Sequence, residues 1–391
     1  MINRVLGGTI QRSARQFPVV AILGPRQSGK TTLVRDIFPK KPYVTLEDPD
    51  TRAFALSDPR GFLARYGNGA ILDEVQRAPD LFSYLQSAVD RTHRPGLFIL
   101  TGSQNFLLMQ HISQSLAGRV RLMTLLPLSL EETRGVRGRT GDPNAVMFRG
   151  FYPALFKRKI HPLDWYPSYI QTYLERDVRQ IKNIENLAIF QKFLKLCAAR
   201  TGQLLNLTSL AVECGITHNT ARAWIGILEA SFLVHLLRPY HGNFNKRVVK
   251  TPKLYFYDTG LVCSLLEIEK ERQLASHPLR GNLFETMVVS EMIKARLNRG
   301  KTNNLYFWRD KTGHEVDVLS VQGERLNAVE VKSGMTITDE AFTGLEYWRK
   351  VSGKPGKSVL IYGGGEKQER RRAMVMGWER AADACDETPR G

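Results

Sequence analysis

The sequence predicts an α/β protein in successive modules: a parallel sheet first, a helix-rich middle, and a second α/β unit at the carboxyl end. Three observations carry that prediction. Apolar runs in the first third end in glycines or acids, as buried parallel strands do. From Trp165 onward apolar residues return at helical spacing, interrupted by one glycine-marked turn. Beyond Gly281 a helical stretch gives way to short strands in which charged and apolar residues alternate. At 391 residues the chain is too long for one ordinary core and suits two or three domains.

The first strand is the run Phe17-Pro18-Val19-Val20-Ala21-Ile22-Leu23, closed by Gly24-Pro25-Arg26-Gln27-Ser28-Gly29-Lys30-Thr31 and followed by a helix opening at Thr32. This is the G-x-x-x-x-G-K-[ST] phosphate-binding loop in the strand-before, helix-after setting that it requires. Gly24 and Gly29 let the backbone turn its N–H groups towards phosphate oxygens. Lys30 is expected to neutralise the β- and γ-phosphates, and the Thr31 hydroxyl to ligate Mg²⁺. Gly24, Pro25, Arg26, Gln27, Ser28, Gly29, Lys30, Thr31 and Thr32 are thus the expected ATP-binding residues, with ATP and Mg²⁺ as cofactors.

Pro42–Leu46 reads as a second strand, and Gly69-Ala70-Ile71-Leu72 as a third that ends on Asp73-Glu74. Behind a phosphate loop such an acidic pair has a purpose. Asp73 can support the magnesium ion, and Glu74 can polarise the attacking water. The next strand, Gly96–Thr101, delivers Ser103 and Gln104, either of which can sense a γ-phosphate or simply shape the strand-end turn. Arg119, ahead of the strand Val120–Leu126, can reach a γ-phosphate in its own or a neighbouring subunit, or make a salt bridge.

Gly135–Asn144 reads as an exposed loop, and helical patterning resumes over Trp165–Ala198. Leu207–Thr217 then leads through a turn at Gly215 into a helix over Asn219–Ala230, capped by Thr217: a helix-turn-helix pattern. Leu210, Ala211, Ile216, Ala221, Ile225 and Leu228 are its expected core. Phe232–Val234 and Leu254–Tyr257 can pair as the strands of a wing whose tip holds Lys246, Arg247, Lys250 and Lys253. That makes a winged helix, with His218, Asn219 and Arg222 exposed for the major groove and the wing on phosphates. Winged helices also serve as protein–protein modules.

In the last third, Asn282–Leu297 reads as an amphipathic helix carrying Glu285, and Tyr306–Arg309 as a strand. Gly313–Leu319 and Asn327–Lys332 come next as two strands across a hairpin at Gln322-Gly323. Asp317 followed by Glu330-x-Lys332 resembles the D…(D/E)-x-K core of restriction-endonuclease-like folds. Period-two alternation sets Glu330 and Lys332 on one face, where Asp317 on the partner strand can join them. Asp317 and Glu330 can hold a metal, Lys332 can activate water, and Glu285 can complete the acidic cluster. The alternative is a degenerate site or an acid–lysine network that holds the sheet. Ala373–Met376 can add a last strand.

The expected boundaries are 1–134 for the ATPase domain, 135–183 for a linker and helical segment, 184–262 for the winged helix, 263–380 for the endonuclease-like domain, and 381–391 for a mobile tail. Charge is spread unevenly over them. The chain carries 56 Lys and Arg against 38 Asp and Glu, a net +18. Residues 1–150 hold 20 basic and 12 acidic groups, residues 151–262 hold 15 and 7, and residues 263–391 hold 21 and 19. The middle is therefore most densely basic, which favours nucleic acid as its partner. Cys197, Cys214, Cys263 and Cys385 are scattered, so neither a zinc ribbon nor a disulfide framework is expected. No apolar stretch approaches the roughly 18 residues that span a bilayer, and the start lacks a signal-peptide core, so a cytoplasmic protein is expected.

Gly24–Thr32, Leu72-Asp73-Glu74-Val75-Gln76, Thr101-Gly102-Ser103-Gln104 and Ser115-Leu116-Ala117-Gly118-Arg119 together resemble the AAA-type ATPases of bacteria and archaea that precede a domain of unknown function numbered 4143. The likeness continues through Phe148–Pro153 and Tyr173–Val178. It implies an AAA-like P-loop NTPase sheet, a winged helix and a restriction-endonuclease-like α/β domain, without a settled biological role. The partners expected are ATP, DNA at the winged helix and, where Arg119 acts across an interface, a second copy of the chain in a homo-oligomer. No membrane is expected.

Overall fold

The structure is a computed structural model and describes residues 2–103, 115–136, 141–158, 160–173, 184, 186–241, 249–370 and 373–385. Two compact units emerge, the first formed mainly by the chain up to Leu128 and the second by most of the remaining residues.

The first unit is a parallel sheet. Its strands are β1 (Val19–Leu23), β2 (Tyr43–Thr45), β3 (Ala70–Asp73), β4 (Phe98–Gly102) and β5 (Val120–Thr124), in the order β2-β3-β4-β1-β5. All four pairings are parallel. β1 is buried along its whole length, as an unbroken Val-Val-Ala-Ile-Leu run in the middle of a parallel sheet must be. Val20 and Ile22 pack with Leu6 and Ile10 of the helix Leu6–Ala14 and with Leu33 and Val34 of the helix Lys30–Ile37. Register sets Ile22 beside Thr101 and Asp73 beside Thr45, so β1, β3 and β4 end at one level, where their loops meet.

The second unit contains two sheets. Helices Leu187–Ala198, Leu207–Cys214 and His218–Ala230 accompany a three-stranded antiparallel sheet, β6 (Gln203–Leu204), β8 (Lys253–Phe256) and β7 (Val234–Leu237) in spatial order, with β6 between the first two helices in the chain and β7 and β8 after the third. Thr217 accepts from Thr220 N at 3.1 Å and caps the third helix. Gly215, left-handed at φ 67°, makes the turn before it. Leu210, Ala211, Ala221, Ile225 and Leu228 are buried and Ile216 is half-buried. The first strand begins at Val234 rather than Phe232, because Phe232 itself is left-handed at φ 57°.

The other sheet has six strands: β9 (Leu305–Arg309), β10 (Glu315–Gln322), β11 (Arg325–Lys332), β12 (Ser358–Tyr362), β13 (Gln368–Glu369) and β14 (Met374–Gly377), ordered β13-β14-β12-β11-β10-β9. β9 to β11 form an antiparallel meander, and β11, β12 and β14 run parallel. The β10–β11 turn is Gly323-Glu324, one residue later than the sequence suggests. Just beyond β7, Arg238 O accepts from Phe307 N and Tyr240 N donates to Phe307 O at 2.7 Å; Val249 N donates to Arg309 O. The two arms leaving the small sheet are therefore bonded to β9.

Three expectations need correction. The helix Arg280–Asn298 is buried on almost every side rather than amphipathic; its charges Glu291 and Lys294 are buried as a pair at 2.8 Å. The 3-10 stretch Trp378–Cys385 carries the chain past Arg380 with Ala381 and Ala384 buried, so residues 381–384 are packed; 386–391 lie outside the described residues. Lys253, expected at an exposed wing tip, is a buried member of β8. Of the other tip charges Lys250 is exposed, and Lys246 and Arg247 lie outside the described residues. Among the described residues no helix is long and apolar enough to cross a membrane. Cys197, Cys214 and Cys263 are buried and in no disulfide.

Candidate nucleotide site and a buried carboxylate cluster

Gly24 can only be glycine. At φ 150°, a Cβ there would lie 2.1 Å from Leu125 O beyond the end of β5. Gly29, left-handed at φ 92°, then launches the helix Lys30–Ile37 without any side-chain cap on its first turn. Backbone donors and the helix dipole are thus left for an anion. Ser28 Oγ is buried without a hydrogen-bond partner among the described residues, a polar atom that a phosphate oxygen would satisfy. Lys30 Nζ donates to Gly24 O at 2.9 Å and Pro25 O at 2.8 Å, so its ammonium rests on the loop's own carbonyls. Arg26 lies 4.0 Å from Glu47, Gln27 is left-handed at φ 63°, and Thr32 is exposed on the helix.

Thr31 and Asp73 meet as the sequence anticipates, with Thr31 Oγ1 donating to Asp73 Oδ1 at 2.9 Å. Two further hydroxyls converge there. Tyr43 donates to Asp73 Oδ2 at 2.7 Å, and Thr101 donates to Oδ1. Burial, then the bond to Asp73, pushes the Tyr43 hydroxyl up to about 12 and keeps it a donor. A divalent cation at Asp73 and Thr31 would replace these neutral donors with a full charge. An open depression of about 500 Å³ adjoins them, lined by Thr31, Arg35, Lys41 and Tyr43 among others.

Glu74 is left-handed at φ 55°, an uncommon conformation for a non-glycine residue and one that concentrates at functional sites. Its Oε2 accepts from Ser103 Oγ at 3.0 Å and from Gln76 Nε2, which also donates to Ser103 Oγ at 3.2 Å. The acid is thereby tied to the end of β4. Gln104 lies outside the described residues. Arg119 is elsewhere. It precedes β5, whose Val120 pairs with Val19 at the start of β1, so the five residues of β1 separate it from the loop by about 16 Å. It forks onto Asp90 at 2.5 and 2.9 Å instead. In its own chain it does not reach a γ-phosphate.

Sequence reasoning missed Arg4. Its two terminal nitrogens donate to Ser28 O and Leu126 O, each at 2.6 Å, joining the loop to the chain beyond β5. A lone arginine before the first helix gives no pattern to read. Tyr43 and Thr101 were also missed; both fall on strands that the sequence reveals, but their meeting at Asp73 depends on sheet order.

In the second unit, Glu330 and Lys332 share a face and bond at 2.7 Å through Oε1. Glu330 Oε2 is buried without a hydrogen-bond partner among the described residues. Asp317 Oδ2 accepts from Val331 N at 2.8 Å. Lys253 enters this cluster from β8: its Nζ lies 2.9 Å from Glu285 Oε1 and 3.8 Å from Asp317 Oδ1, and it also pairs with Glu315. Tyr255, two residues on and so on the same face, donates to Glu285. Burial and then Asp317 push Glu285 up to about 7 and Glu330 up to about 8. Against the cost of burial, Tyr255, Glu285, Asp317 and Glu315 hold the Lys253 ammonium well above its ordinary value. Among the described residues no three His, Cys, Asp or Glu side chains converge closely enough to hold a metal ion; the carboxylates gather around an ammonium.

Residues 16–134 match the AAA domain family, 141–272 a domain of unknown function (DUF8612), and 280–380 a domain of unknown function (DUF4143). Two curated mycobacterial proteins, "Uncharacterized protein Rv2008c" of Mycobacterium tuberculosis and "Uncharacterized protein Mb2031c" of Mycobacterium bovis, are each 33% identical over 337 residues, or 85% of this chain and 74% of theirs. Among solved structures, the Walker-type ATPase PABY2304 of Pyrococcus abyssi is similar at a TM-score of 0.47 and 16% identity, over 68% of this chain and 96% of that one. The chain belongs to the family of the two mycobacterial proteins, and it is a P-loop protein with an AAA domain at its amino end and a DUF4143 domain at its carboxyl end.

Proposed function

We propose that the chain is a Mg²⁺-dependent ATPase whose nucleotide state is coupled to a winged-helix module that contacts DNA and to a restriction-endonuclease-like domain. The observation that carries the ATPase reading is the convergence of Thr31 and Asp73 at 2.9 Å beside the uncapped helix start, with Glu74 held by Ser103 and Gln76. Thr31 and Asp73 are the residues to hold Mg²⁺, which would offset charge on the β- and γ-phosphates. Lys30 would leave the carbonyls of Gly24 and Pro25 for those phosphates, together with the loop's N–H groups. Glu74 would orient water for attack, and Ser103 would report the presence of the γ-phosphate by exchanging its bond to Glu74 for one to phosphate. Saturable binding of Mg·ATP by the wild type, weakened about 100-fold or more by loss of the phosphate-binding ammonium in Lys30→Ala, is the expected result. No saturable binding by the wild type would reject the ATPase reading.

The DNA reading rests on the exposed His218, Asn219 and Arg222 of the helix His218–Ala230, beside an open groove of about 840 Å³, and on the basic middle of the chain. The wing is its weaker half, since both arms are bonded to β9 and Lys253 is buried. Contacts to phosphate predict a steep salt dependence, and Arg222→Ala is expected to reduce the slope by about one. DNA affinity insensitive to both salt and Arg222 would remove DNA from the account.

A second reading, a metal-dependent nuclease regulated by ATP, draws on Asp317, Glu330 and Lys332. The position of Lys253 favours the third alternative, a switch that binds DNA without cleaving it in this conformation. Plasmid cleavage with Mn²⁺ that is lost in Lys332→Ala would favour the nuclease over the switch.

A further inference from the structure

Glu47 and two arginines gather at the end of the sheet that carries the phosphate loop. Arg26 is the third residue of Gly24–Thr31. Arg77 closes a single 3-10 turn begun by Glu74, with Arg77 N donating to Glu74 O at 3.1 Å. Glu47 follows β2, where Leu46 N donates to Asp73 O at 3.0 Å, so Glu47 leaves the sheet at the level of the acidic pair. Arg52, on the helix Pro49–Ser57, fixes that backbone by donating to Leu46 O at 3.2 Å and Glu47 O at 3.3 Å. One carboxylate oxygen, Glu47 Oε1, then lies 4.0 Å from a guanidinium nitrogen of Arg26 and 4.0 Å from one of Arg77. Both separations are longer than a hydrogen bond. Arg77 Nε is buried without a hydrogen-bond partner among the described residues. A buried donor in that state is costly, and an anion with several acceptor oxygens is what would relieve it.

We propose that Arg26 and Arg77 distinguish ATP from ADP, and that binding of Mg·ATP draws both guanidinium groups from Glu47 to the γ-phosphate. The proposal rests on reading Gly24–Thr31 as an ATP site. Charge favours the transfer. A terminal phosphate carries about two negative charges and three acceptor oxygens, whereas Glu47 offers one charge to two arginines. Geometry favours it too, because a planar guanidinium matches two oxygens of one phosphate. Arg26 starts inside the phosphate loop and Arg77 starts one turn beyond the acid assigned to water, so each springs from a segment that borders the phosphates. The Glu47 side chain is 42% exposed against 19% and 22% for Arg26 and Arg77. Its carboxylate can therefore turn into water at little cost, as an exposed ion pair is worth little. ADP ends at the β-phosphate, which Lys30 and the loop N–H groups receive, and leaves both arginines with Glu47.

Calorimetric binding of Mg·ADP and of the non-hydrolysable analogue Mg·AMP-PNP to the full chain tests this. Arg77→Gln should weaken AMP-PNP about tenfold or more, the scale of a lost charged hydrogen bond, and leave ADP within about twofold. Arg26→Gln should do the same. Arg77→Lys should recover only part of the loss, since an ammonium lacks the fork. Glu47→Gln should act in the opposite direction, tightening AMP-PNP by about threefold as the competing ion pair is removed, with ADP again unchanged. Equal changes for the two nucleotides, or none, would mean that these charges only hold the fold; that result would overturn the proposal and leave the ATP site standing. A wild type that binds neither nucleotide would overturn the ATP reading and the proposal with it. If the arginine variants do not fold by circular dichroism, Glu47→Gln decides, because that side chain is exposed. An unchanged ratio of the two affinities in Glu47→Gln would overturn the proposal.

Discussion

Arg4→Met keeps most of the apolar stem of Arg4 and removes its fork. In the wild type that fork donates two hydrogen bonds of 2.6 Å, to Ser28 O within the phosphate loop and to Leu126 O beyond β5, from a side chain that is almost wholly buried. A hydrogen bond from a charged donor contributes about 1.5–3 kcal/mol, and truncation leaves the carbonyls to find other partners. Allowing for the packing that methionine retains, the loss is about 3 kcal/mol, or a fall in Tm of about 10 °C for a domain of this size. Because one of the bonds fixes the loop itself, affinity for Mg·ATP should fall with stability, by about tenfold. Arg4→Lys should recover little, since an ammonium cannot span two carbonyls as a planar fork does. The assay is thermal melting with and without nucleotide, together with titration of a fluorescent ATP analogue. A Tm within about 2 °C of wild type and unchanged affinity would refute the reasoning that Arg4 holds the loop.

The other expectations concern three sites. Tyr43→Phe removes one of the hydroxyls on Asp73 while leaving Thr31 and Thr101 in place; turnover at saturating Mg²⁺ should hold, and the Mg²⁺ requirement should shift by about threefold or less, as a Mg²⁺ titration would show. Arg119→Ala should leave turnover unchanged within about twofold, whereas a loss of about 10³-fold would return it to catalysis from a second copy of the chain. Glu285 and Glu330, raised to about 7 and about 8 in the fold, bind protons more tightly there than in the unfolded chain. Their contribution to stability is therefore complete below the ordinary carboxylate range and is lost as pH rises through 7 to 8. Denaturant melts of the wild type should weaken over that window, and Glu330→Gln should flatten the loss; a pH-independent midpoint in the wild type would contradict the raised values.

Much of the fold and of the nucleotide site is legible in the sequence where the physics is local. A phosphate loop needs glycine at fixed offsets between a buried strand and a helix, so Gly24 to Thr31 announces its own geometry. Asp73 at the end of β3 can be picked out because an acid closing an apolar strand is informative behind such a loop. The partners of Asp73 cannot. Thr101 reaches it only because β4 lies between β3 and β1, and strand order is not a local property. Arg119 shows the same limit from the other side: its nearness in sequence to β5 says nothing until parallel pairing puts it at the far end of the sheet. Lys253 reads as a wing-tip charge because lysine is usually exposed. The signal against that reading is its alternation with Tyr255 on a buried strand, Lys253–Phe256. In the helix Arg280–Asn298, Glu291 and Lys294 look like a solvent face. They are a buried pair three residues apart, and only tertiary packing makes that distinction.

The central claim is that Gly24–Thr31, Asp73 and Glu74 form an ATP-hydrolysing site. Single-turnover hydrolysis of Mg·ATP by the wild type and by Glu74→Gln tests it most directly. The account predicts measurable turnover in the wild type, a loss of about 10²-fold or more in Glu74→Gln, the scale of a missing general base, and nucleotide affinity preserved in the variant. Equal rates in the two proteins, or a wild type that neither binds nor hydrolyses ATP, would contradict it.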